Sequence, residues 1–511
     1  MRWAPALRLD GRHLGFWLIT AVVGLFVGAP LLLLVLNSFR DVKLGDLGFS
    51  FTNLTLDNYV EAYRSSATYA VLLNSVIFAA GAMLVALLLG GVLAFLVERT
   101  DIGHRGLITT IAVVPLAMPG VVNGMAWVLL LSPGNGLLNQ VWQSLFGHIL
   151  GSAYSLPVMS WVEGTAMSML AFLLLSTSFR QMDPALEEAS RLSGASPLQT
   201  VLRVNLPLLA PALAGVLLLL IVRGMEAFEI PMVLGFHDRI FVFATSIYYA
   251  LHDSYPPQYG LGFSYSMTLV VLAVVALIFY QRHLRNSQRF ATVGGKGYRP
   301  RLLSLGGWCY PAWAFVAGYA LLAVVLPLFI LLWASLQGFY RPPSLSGLPV
   351  LSLKNYAQIL GDGSFHGAVW NTLLLGAVAT LAIMGLALLV SWFVYRSGVT
   401  GRRVLDYLIF IPYAFPGIAV GVAFMILFLS FRNPLYNTIW IIVLAYTVTF
   451  LPVGSRFTHA AVLQIQPELE EAAWLSGAGF WRTMGRVWAP LLKPALVNGG
   501  LFLLILSFKA L

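Results

Sequence analysis

Cysteine, charge and catalytic residue patterns are all scarce in this sequence. Cys309 is the one cysteine among 511 residues, which excludes an internal disulfide and a cysteine-rich metal site. The eight histidines are scattered along the chain, and the sequence contains no Ser/His/Asp set and no metal-ligand spacing. The phosphate-binding pattern G-x-x-x-x-G-K-[ST] is also missing, so the chain is not expected to hydrolyse ATP through such a loop. We therefore predict a protein that is not an enzyme and that holds no metal or other cofactor.

Apolar residues make up most of the sequence. Charged residues make up 10% of the chain and hydrophobic residues 59%, with a mean hydropathy of +0.84, whereas soluble domains carry about 25% charged residues. Crossing a hydrocarbon layer takes about 20 apolar residues. Eleven runs of that kind lie at 14–37, 70–97, 107–131, 161–180, 208–233, 263–281, 309–335, 369–394, 406–430, 437–456 and 493–511. The first run is too long for the core of a signal peptide and is predicted to stay as an anchor. We predict an all-α polytopic membrane protein with about eleven transmembrane helices.

The basic residues are concentrated on one side of the predicted spans. If the N-terminus is cytoplasmic, the cytoplasmic segments hold 21 of the 30 Lys and Arg residues and the opposite side holds seven. This bias predicts a multi-pass membrane protein with its N-terminus in the cytoplasm. Six of the basic residues lie in the segment 282–306. We interpret that segment as a topology signal that contacts membrane lipid, and not as a nucleic-acid site, although the net charge is +10.

One polar stretch, residues 183–207, occurs twice in the chain. It reads DPALEEASRLSGASPLQTVLRVNLP, and QPELEEAAWLSGAGFWRTMGRVWAP follows at 466–490. Twelve residues are identical at an offset of 283 positions, without a gap. They are Pro184, Leu186, Glu187, Glu188, Ala189, Leu192, Ser193, Gly194, Ala195, Arg203, Val204 and Pro207 in the first copy. We call the two copies the first and second repeat loops.

The duplication extends over most of the chain. Asn58-Tyr59 recurs as Asn355-Tyr356, and Pro119-Gly120, which is predicted to break the third span, recurs as Pro416-Gly417, both at an offset of 297. Because the offset later falls to 283, the first copy has about 14 extra residues. We place them at 143–160, where the chain forms either a short interfacial helix or a plain loop. We predict two parallel repeats at 1–281 and 307–511, joined by a linker at 282–306, unlike the inverted repeats of many carriers.

Each repeat loop is predicted to fold as a short helix, a turn at glycine and a second helical piece. Pro184 suits a first helical turn, where its missing N–H costs nothing. Glu187 and Glu188 then lie near the positive end of the helix dipole. Gly194 and Gly477 fall where the chain must turn.

The spacing within these loops resembles the cytoplasmic loop of ABC importer permeases, whose pattern is E-A-A, three residues, G, nine residues and I-x-L-P. Glu188-Ala189-Ser190, Gly194 and Val204–Pro207 match it in the first loop, and Glu471-Ala472-Ala473, Gly477 and Val487–Pro490 in the second. Both copies have Val in place of Ile, and the second has Ala489 where leucine is usual. The fused repeats and MEAFEIPMVLG at 225–235 are similar to the ferric iron permease family, which in turn resembles thiamine permeases.

The resemblance implies a type I ABC importer permease fold in the bacterial inner membrane. It also implies two copies of an ATPase subunit that use ATP and Mg, and a periplasmic binding protein that delivers the solute. It implies ferric iron as the solute, with thiamine, polyamine and phosphonate as alternatives. The residues implied in ATPase coupling are Glu187, Glu188, Ala189, Gly194, Pro207, Glu470, Glu471, Ala472, Gly477 and Pro490. A major facilitator carrier is the rival from another class, because ERTDIGHRG and YRSGVTGRR are similar to its short basic turns. That alternative does not explain two long loops after the fourth span of each repeat.

Charged residues inside the spans are the second group of candidates. Arg223, Glu226 and Glu229 are spaced by three residues in the predicted span 208–233. A charge at the bilayer centre costs about 3 kcal/mol, so these side chains should face protein or water. They either form an ion pair that orients the helix or line the transport pathway. Lys509 is the counterpart of Glu226 at the offset of 283, with opposite charge.

The second repeat has one predicted span fewer than the first. Gly194 is followed by two spans that end near Tyr280, whereas Gly477 is followed by only 34 residues. The internal repeat therefore leads us to expect a twelfth helix beyond Leu511.

Overall fold

The structure, a computed structural model, describes residues 11–42, 47–287, 302–430, 435 and 437–509. Within those residues the chain is helical, with no β-strand and two isolated β-bridges. The predicted linker residues 288–301 and the last two residues of the predicted span 493–511 lie outside the described residues. The chain divides into a first unit, made of residues 1–60, 258–270 and 363–511, and a second unit, made of 61–257 and 271–362.

The helices of the first repeat are α1 (Gly11–Ser38), α2 (Asp57–Arg64), α3 (Ser66–Arg99), α4 (Arg105–Ala117), α5 (Gly120–Leu131), α6 (Leu137–Phe146), α7 (Leu156–Gln181), α8 (Pro184–Leu192), α9 (Pro197–Thr200), α10 (Leu206–Glu226), α11 (Phe243–Tyr248) and α12 (Tyr259–Ser287). Those of the second are α13 (Cys309–Ala320), α14 (Leu326–Ser335), α15 (Lys354–Leu360), α16 (Gly363–Tyr395), α17 (Arg402–Phe410), α18 (Gly417–Ser430), α19 (Ile439–Gln464), α20 (Pro467–Leu475), α21 (Phe480–Thr483), α22 (Ala489–Leu491) and α23 (Lys493–Lys509). π-helical turns occur at Val201–Asn205, Pro231–Gly235, Tyr249–Asp253, Leu321–Val325 and Met484–Trp488.

The predicted number of spans is confirmed. Across the described part of the chain, eight helices are long and apolar enough to cross a membrane, and three bent pairs raise the number to eleven. The chain bends by 98° between α4 and α5 and by 106° between α17 and α18. These bends fall at Pro119-Gly120 and Pro416-Gly417, where breaks were predicted.

The predicted span 208–233 is wrong at its end, because α10 stops at Glu226 and Ala227 adopts an extended conformation with ψ 129°. Pro231 supplies a physical reason. A proline cannot donate to the carbonyl four residues earlier and its ring clashes with that carbonyl, which here belongs to Ala227. The chain resumes helical structure at Glu229 and continues as the π-helical turn Pro231–Gly235.

Close packing of α3 against α7 forms the centre of the second unit. Glycine makes the approach possible, since a Cβ placed on Gly90 would lie 2.2 Å from the carbonyl oxygen of Ser168. In the first unit α16 and α19 pack in the same way, with Gly454 against Ile383. Small residues at such crossings are typical of helix contacts in membranes, where close backbone approach provides much of the stabilisation.

The first span of the second repeat lies in the second unit, with the later helices of the first repeat. Helices α13 and α14 and the π-helical turn between them pack against α3, α4 and α5. The Tyr319 hydroxyl lies 2.9 Å from Ser168 Oγ on α7, and the Tyr340 hydroxyl donates to the carbonyl of Leu129 (2.8 Å). Burial raises the pKa of Tyr340 to about 12.

The first span of the first repeat lies in the first unit, with later helices of the second repeat. Helix α1 packs against α17, α18 and α19. The Phe16 ring lies 5.9 Å from that of Phe393, and a Cβ on Gly24 would lie 3.8 Å from Leu408. Each unit therefore combines helices from both repeats, so the compact units do not coincide with the sequence repeats 1–281 and 307–511.

The two repeats share a hydrogen-bonded cap after their first spans. The Asn58 amide donates to the carbonyls of Ser38 (3.1 Å) and Arg40 (2.7 Å). The Asn355 amide donates to the carbonyls of Ser335 (3.0 Å) and Gln337 (2.6 Å). The tyrosine after each asparagine places its hydroxyl 2.8 Å and 2.7 Å from the serine Oγ of its own cap. The duplication inferred from sequence thus extends to hydrogen-bond geometry.

The end of the linker is fixed to the turn after α3. The Leu303 N–H donates to the Arg99 carbonyl (2.9 Å), and the Asp101 N–H donates to the Leu303 carbonyl (3.0 Å). The Leu305 N–H donates to Asp101 Oδ1 (2.9 Å), and this bond is the main cause of a lowered pKa of the Asp101 carboxyl.

Candidate functional site

Each repeat loop begins with a nine-residue helix, α8 or α20, and a glycine lies two residues after the helix ends. Gly194 has φ +83° and Gly477 φ +79°, in the left-handed region that favours glycine. After the first helix the Ala195 N–H donates to the Ser190 carbonyl (3.2 Å), and after the second the Ala478 N–H donates to the Ala473 carbonyl (3.0 Å). These are the bonds of a Schellman end. The predicted glycine turns are confirmed.

We expect replacement of both glycines by alanine to loosen the two loops without a steric clash. An ideal Cβ at either position meets nothing within 4 Å, so backbone conformation alone opposes the change. The left-handed conformation costs about 1–2 kcal/mol in a residue with a side chain. Protease cleavage within the two loops should therefore become several-fold faster. As a control, Gly103→Ala, also in open space but without a left-handed φ, should leave the cleavage rate unchanged.

A π-helical turn precedes the proline in each loop. Val201–Asn205 and Met484–Trp488 occupy equivalent repeat positions. Pro207 and Pro490 cannot donate to the carbonyls of Arg203 and Arg486, four residues earlier. The wider turn accommodates that loss, since the N–H before each proline donates five residues back, to Val201 and to Met484.

Glu187 faces the protein and not the solvent. Its side chain is 5% exposed and forms an ion pair with Arg99, which is 3% exposed and ends α3. Arg99 Nη1 also donates to the Phe179 carbonyl at the end of α7 (3.4 Å). The guanidinium therefore ties the first repeat loop to two membrane-spanning helices.

The second repeat loop is held at the equivalent carboxylate by a different donor. Trp392 Nε1 on α16 donates to Glu470 Oε1 (2.8 Å), and Glu470 is 5% exposed. Arg396, the counterpart of Arg99, donates to the carbonyls of Val462 (2.9 Å) and Ile465 at the end of α19. Both loops are thus anchored through the first glutamate of the duplicated pair, which contacts Arg99 in one repeat and Trp392 in the other.

The two residues that follow this glutamate in each loop helix are more exposed than the glutamate itself. Glu188 is half-buried, whereas Ala189, Glu471 and Ala472 are exposed. Leu192 at 89% and Leu475 at 90% have the most exposed apolar side chains among the described residues of the two loops, and each ends a loop helix. Sequence reasoning recognised these leucines as repeated but not as surface features, because an apolar residue on a short helix is normally expected to be buried.

Two of the charged candidates in the spans form an ion pair at the end of α10. Arg223 Nη1 lies 3.5 Å from Glu226 Oε2, with the arginine side chain 53% exposed and the glutamate 16%. Glu229 lies beyond the break after α10 and not on the same helix, which corrects the regular spacing predicted from sequence. Its side chain packs over Gly120, where a Cβ would lie 2.2 Å from Glu229 Oε2. Lys509 ends α23 in the first unit, and its pairing with Glu226 stays a prediction.

No group of three or more His, Cys, Asp or Glu side chains among the described residues is placed to hold a metal ion. The two loop helices share one arrangement, with a buried glutamate on one side and exposed side chains on the other. The buried contacts of Glu187 and Glu470 hold the two helices against membrane-spanning helices, whereas Leu192, Glu471 and Leu475 are exposed.

Comparisons with known proteins identify the family of the chain. The profile of a family described as the inner membrane component of binding-protein-dependent transport systems matches residues 86–288 and 383–511. A putative ferric transport system permease protein, FbpB 1 of Haemophilus influenzae, is 28% identical over 422 residues, which cover 80% of this chain and 64% of that protein. The ferric transport system permease protein FbpB of Actinobacillus pleuropneumoniae is 27% identical over 419 residues, which cover 80% of this chain and 58% of that protein.

The chain thus spans less than two thirds of the length of these two relatives. A probable ABC transporter permease protein, y4fN of Sinorhizobium fredii, is 26% identical over 513 residues, which cover 96% of this chain and 85% of that protein. The family match covers more than half of the chain, on both sides of the linker. The chain therefore belongs to the family of inner membrane components of binding-protein-dependent transport systems, which are polytopic ABC permeases of the type I importer fold and not enzymes.

Proposed function

We propose that this chain is the permease of an ABC importer that moves ferric iron into the cytoplasm. Two copies of an ATPase subunit bind the two repeat loops and use ATP and Mg, and a periplasmic binding protein delivers the iron. Two observations support the proposal. The repeat loops present the same exposed surface twice, with Leu192 and Leu475 at equivalent positions, and two relatives are named as ferric transport permeases.

Buried contacts connect each loop helix to membrane-spanning helices, so a force on the loop helix is transmitted to those spans. Glu187 joins α8 to Arg99 at the end of α3, and Arg99 also contacts the end of α7. Glu470 joins α20 to Trp392 on α16. An ATPase that moves either loop helix therefore pulls on buried contacts with the ends of spans, and not on a flexible tether.

The orientation rests on the charge bias of the sequence. Both repeat loops lie on the side that carries 21 of the 30 Lys and Arg residues, which is the cytoplasmic side under the positive-inside rule. The N-terminus is then cytoplasmic as well.

Charge reversal on the outer faces of both loop helices tests the function. We expect Glu188→Arg together with Glu471→Arg to abolish co-purification of an ABC ATPase with the tagged chain from its host membranes, because the docking charge is inverted and the helix dipole opposed. Uptake of radioactive ferric iron should fall at least ten-fold, with the amount of inserted protein unchanged. Glu61→Arg is the matched control, since Glu61 is exposed and is predicted to lie on the opposite side. An unaltered ATPase complex in the double variant would refute the docking role.

We further propose that Glu226 and Glu229 meet the iron as the binding protein releases it, with Lys509 balancing the charge when the pathway is empty. The half-exposed Arg223 beside Glu226 supports a polar environment at the end of α10. Glu226→Gln combined with Glu229→Gln keeps size and hydrogen bonding but removes both charges. We expect iron uptake to fall at least ten-fold while ATPase binding is retained. Wild-type uptake by a well-expressed variant would leave these residues with a structural role only.

A further inference from the structure

Helix α6 is an uncharged amphipathic helix between two spans. It lies between α5, which ends at Leu131, and α7, which begins at Leu156. Residues 132–155 contain no Asp, Glu, Lys or Arg. Because both neighbouring helices belong to membrane spans, the segment between them is held at the membrane surface.

Hydrogen bonds to Asn139 hold α6 in place. Asn139 is 1% exposed, and its amide donates to the carbonyls of Leu131 (2.8 Å), Ser132 (3.2 Å) and Gly151 (2.7 Å). Its Oδ1 accepts from the N–H groups of Leu150 (3.0 Å) and Gly151 (3.2 Å). One side chain thus joins α6 to the end of α5 and to the segment that follows the helix.

The exposed surface of α6 is divided between two opposite faces. At 100° per residue, Gln140, Gln143 and Ser144 share one face, and all three are exposed. Val141, Leu145 and Phe146 lie outside that polar face and are 50%, 70% and 56% exposed. Ile149 and Leu150 extend the apolar surface at 41% and 50% exposure.

We infer that α6 lies in the plane of the membrane interface, with its apolar face in the acyl-chain boundary and its polar face in water. Amphipathic helices of this kind insert their apolar face into the headgroup region, and tryptophan is enriched at that depth. Trp142 lies on the apolar face, between Leu145 and Phe146 in helical angle, and its ring lies 4.2 Å from that of Phe146. Lipid is the occupant that fits this apolar face, because the flanking spans hold α6 at the membrane surface and residues 132–155 contain no Asp, Glu, Lys or Arg.

The absence of charged residues also predicts how the depth of α6 depends on the charge of the lipid headgroups. Basic interfacial helices bind anionic headgroups, but α6 has no cation with which to do so. Its depth should therefore be the same in bilayers of phosphatidylcholine alone and in bilayers that also contain phosphatidylglycerol.

Nitroxide labels on the two faces provide the test. Cys309, the one native cysteine, is replaced by serine, and Leu145→Cys or Gln143→Cys is introduced into the full chain in phosphatidylcholine nanodiscs. We expect the ratio of oxygen to nickel-complex accessibility to be several-fold higher at position 145 than at 143, and unchanged when phosphatidylglycerol is added. Equal ratios at the two positions, or a ratio that depends on phosphatidylglycerol, would overturn the inference.

A second measurement needs no change at Cys309. A photo-crosslinking phenylalanine analogue at position 145 should form adducts with lipid in native membranes, and the same analogue at 143 should not. Crosslinking of position 145 to a protein would instead identify α6 as a protein docking site and reject the lipid assignment.

Discussion

Replacement of Arg99 by methionine should release the first repeat loop from the membrane-spanning helices. The change leaves Glu187, whose side chain is 5% exposed, as a buried charge without its ion-pair partner. Removing one member of a buried pair costs about 3–5 kcal/mol. We expect the variant to lose the ATPase proposed to bind this loop, and its first loop to be cleaved by protease at a rate at least ten-fold above that of the wild type.

Two variants separate this effect from a general loss of stability. Arg180→Met removes an ion pair with Glu98 in which the arginine side chain is 70% exposed, and exposed pairs contribute about 0–1 kcal/mol. Its cleavage rate should stay near that of the wild type. Arg99→Met combined with Glu187→Met removes both buried charges and should restore much of the protection, since an apolar pair of similar volume can replace a buried ion pair. Equal protection in Arg99→Met and Arg180→Met would contradict the anchoring role.

Replacement of Gly90 by alanine should separate α3 from α7 and destabilise the second unit. The added methyl group would lie 2.2 Å from the carbonyl oxygen of Ser168 and 2.7 Å from the backbone nitrogen of Phe172. Backbone atoms cannot rotate away as a side chain can, so the helices must move apart. Overpacking of this kind costs about 3 kcal/mol, which should appear as a clearly lowered thermal unfolding temperature in detergent. Gly91→Ala is the control on the same helix, because its Cβ would meet Leu175 at an ordinary 3.4 Å.

The second repeat indicates how this loss can be compensated. Gly90 and Ala171 in the first repeat correspond to Ala387 and Gly454 in the second. Each crossing therefore has one glycine and one alanine, but the glycine is on the earlier helix in the first repeat and on the later helix in the second. Gly90→Ala with Ala171→Gly reproduces the arrangement of the second repeat. We expect this double variant to recover part of the lost stability. A double variant less stable than Gly90→Ala alone would show that the two crossings are not interchangeable.

The sequence was sufficient to predict features set by local patterns. Apolar run length predicted the eleven spans, Pro119-Gly120 and Pro416-Gly417 predicted two bends, and Gly194 and Gly477 predicted the turns in the repeat loops. Each of these depends on residues close together in the chain. The early end of α10 was missed because the apolar run continues past Glu226, and only Pro231 indicated the break.

Contacts between distant residues could not be predicted in the same way. The recurrence of Arg99 with Arg396 and of Glu187 with Glu470 was visible in the sequence, but nothing indicated that Arg99 and Glu187, 88 positions apart, would meet. The contact of Trp392 with Glu470 was even harder to predict, because the first repeat has Phe95 at the position of Trp392. The assignment of α1 to the first unit depends on packing against helices that begin at Arg402, and hydropathy carries no information on partners.

The position of α1 in the first unit has a consequence for the order of biosynthesis. Helix α1 leaves the ribosome early, and its partners α17, α18 and α19 follow more than 360 residues later. Until then α1 lies in the bilayer without these partner helices. Its contact surface is compatible with lipid, because Phe16, Val23 and Val27 are apolar and lipid can solvate them. The buried polar groups of Thr20 and Asn37 donate to carbonyls four residues earlier in the same helix, at 2.8 Å each. These two hydrogen bonds are complete before any partner helix exists.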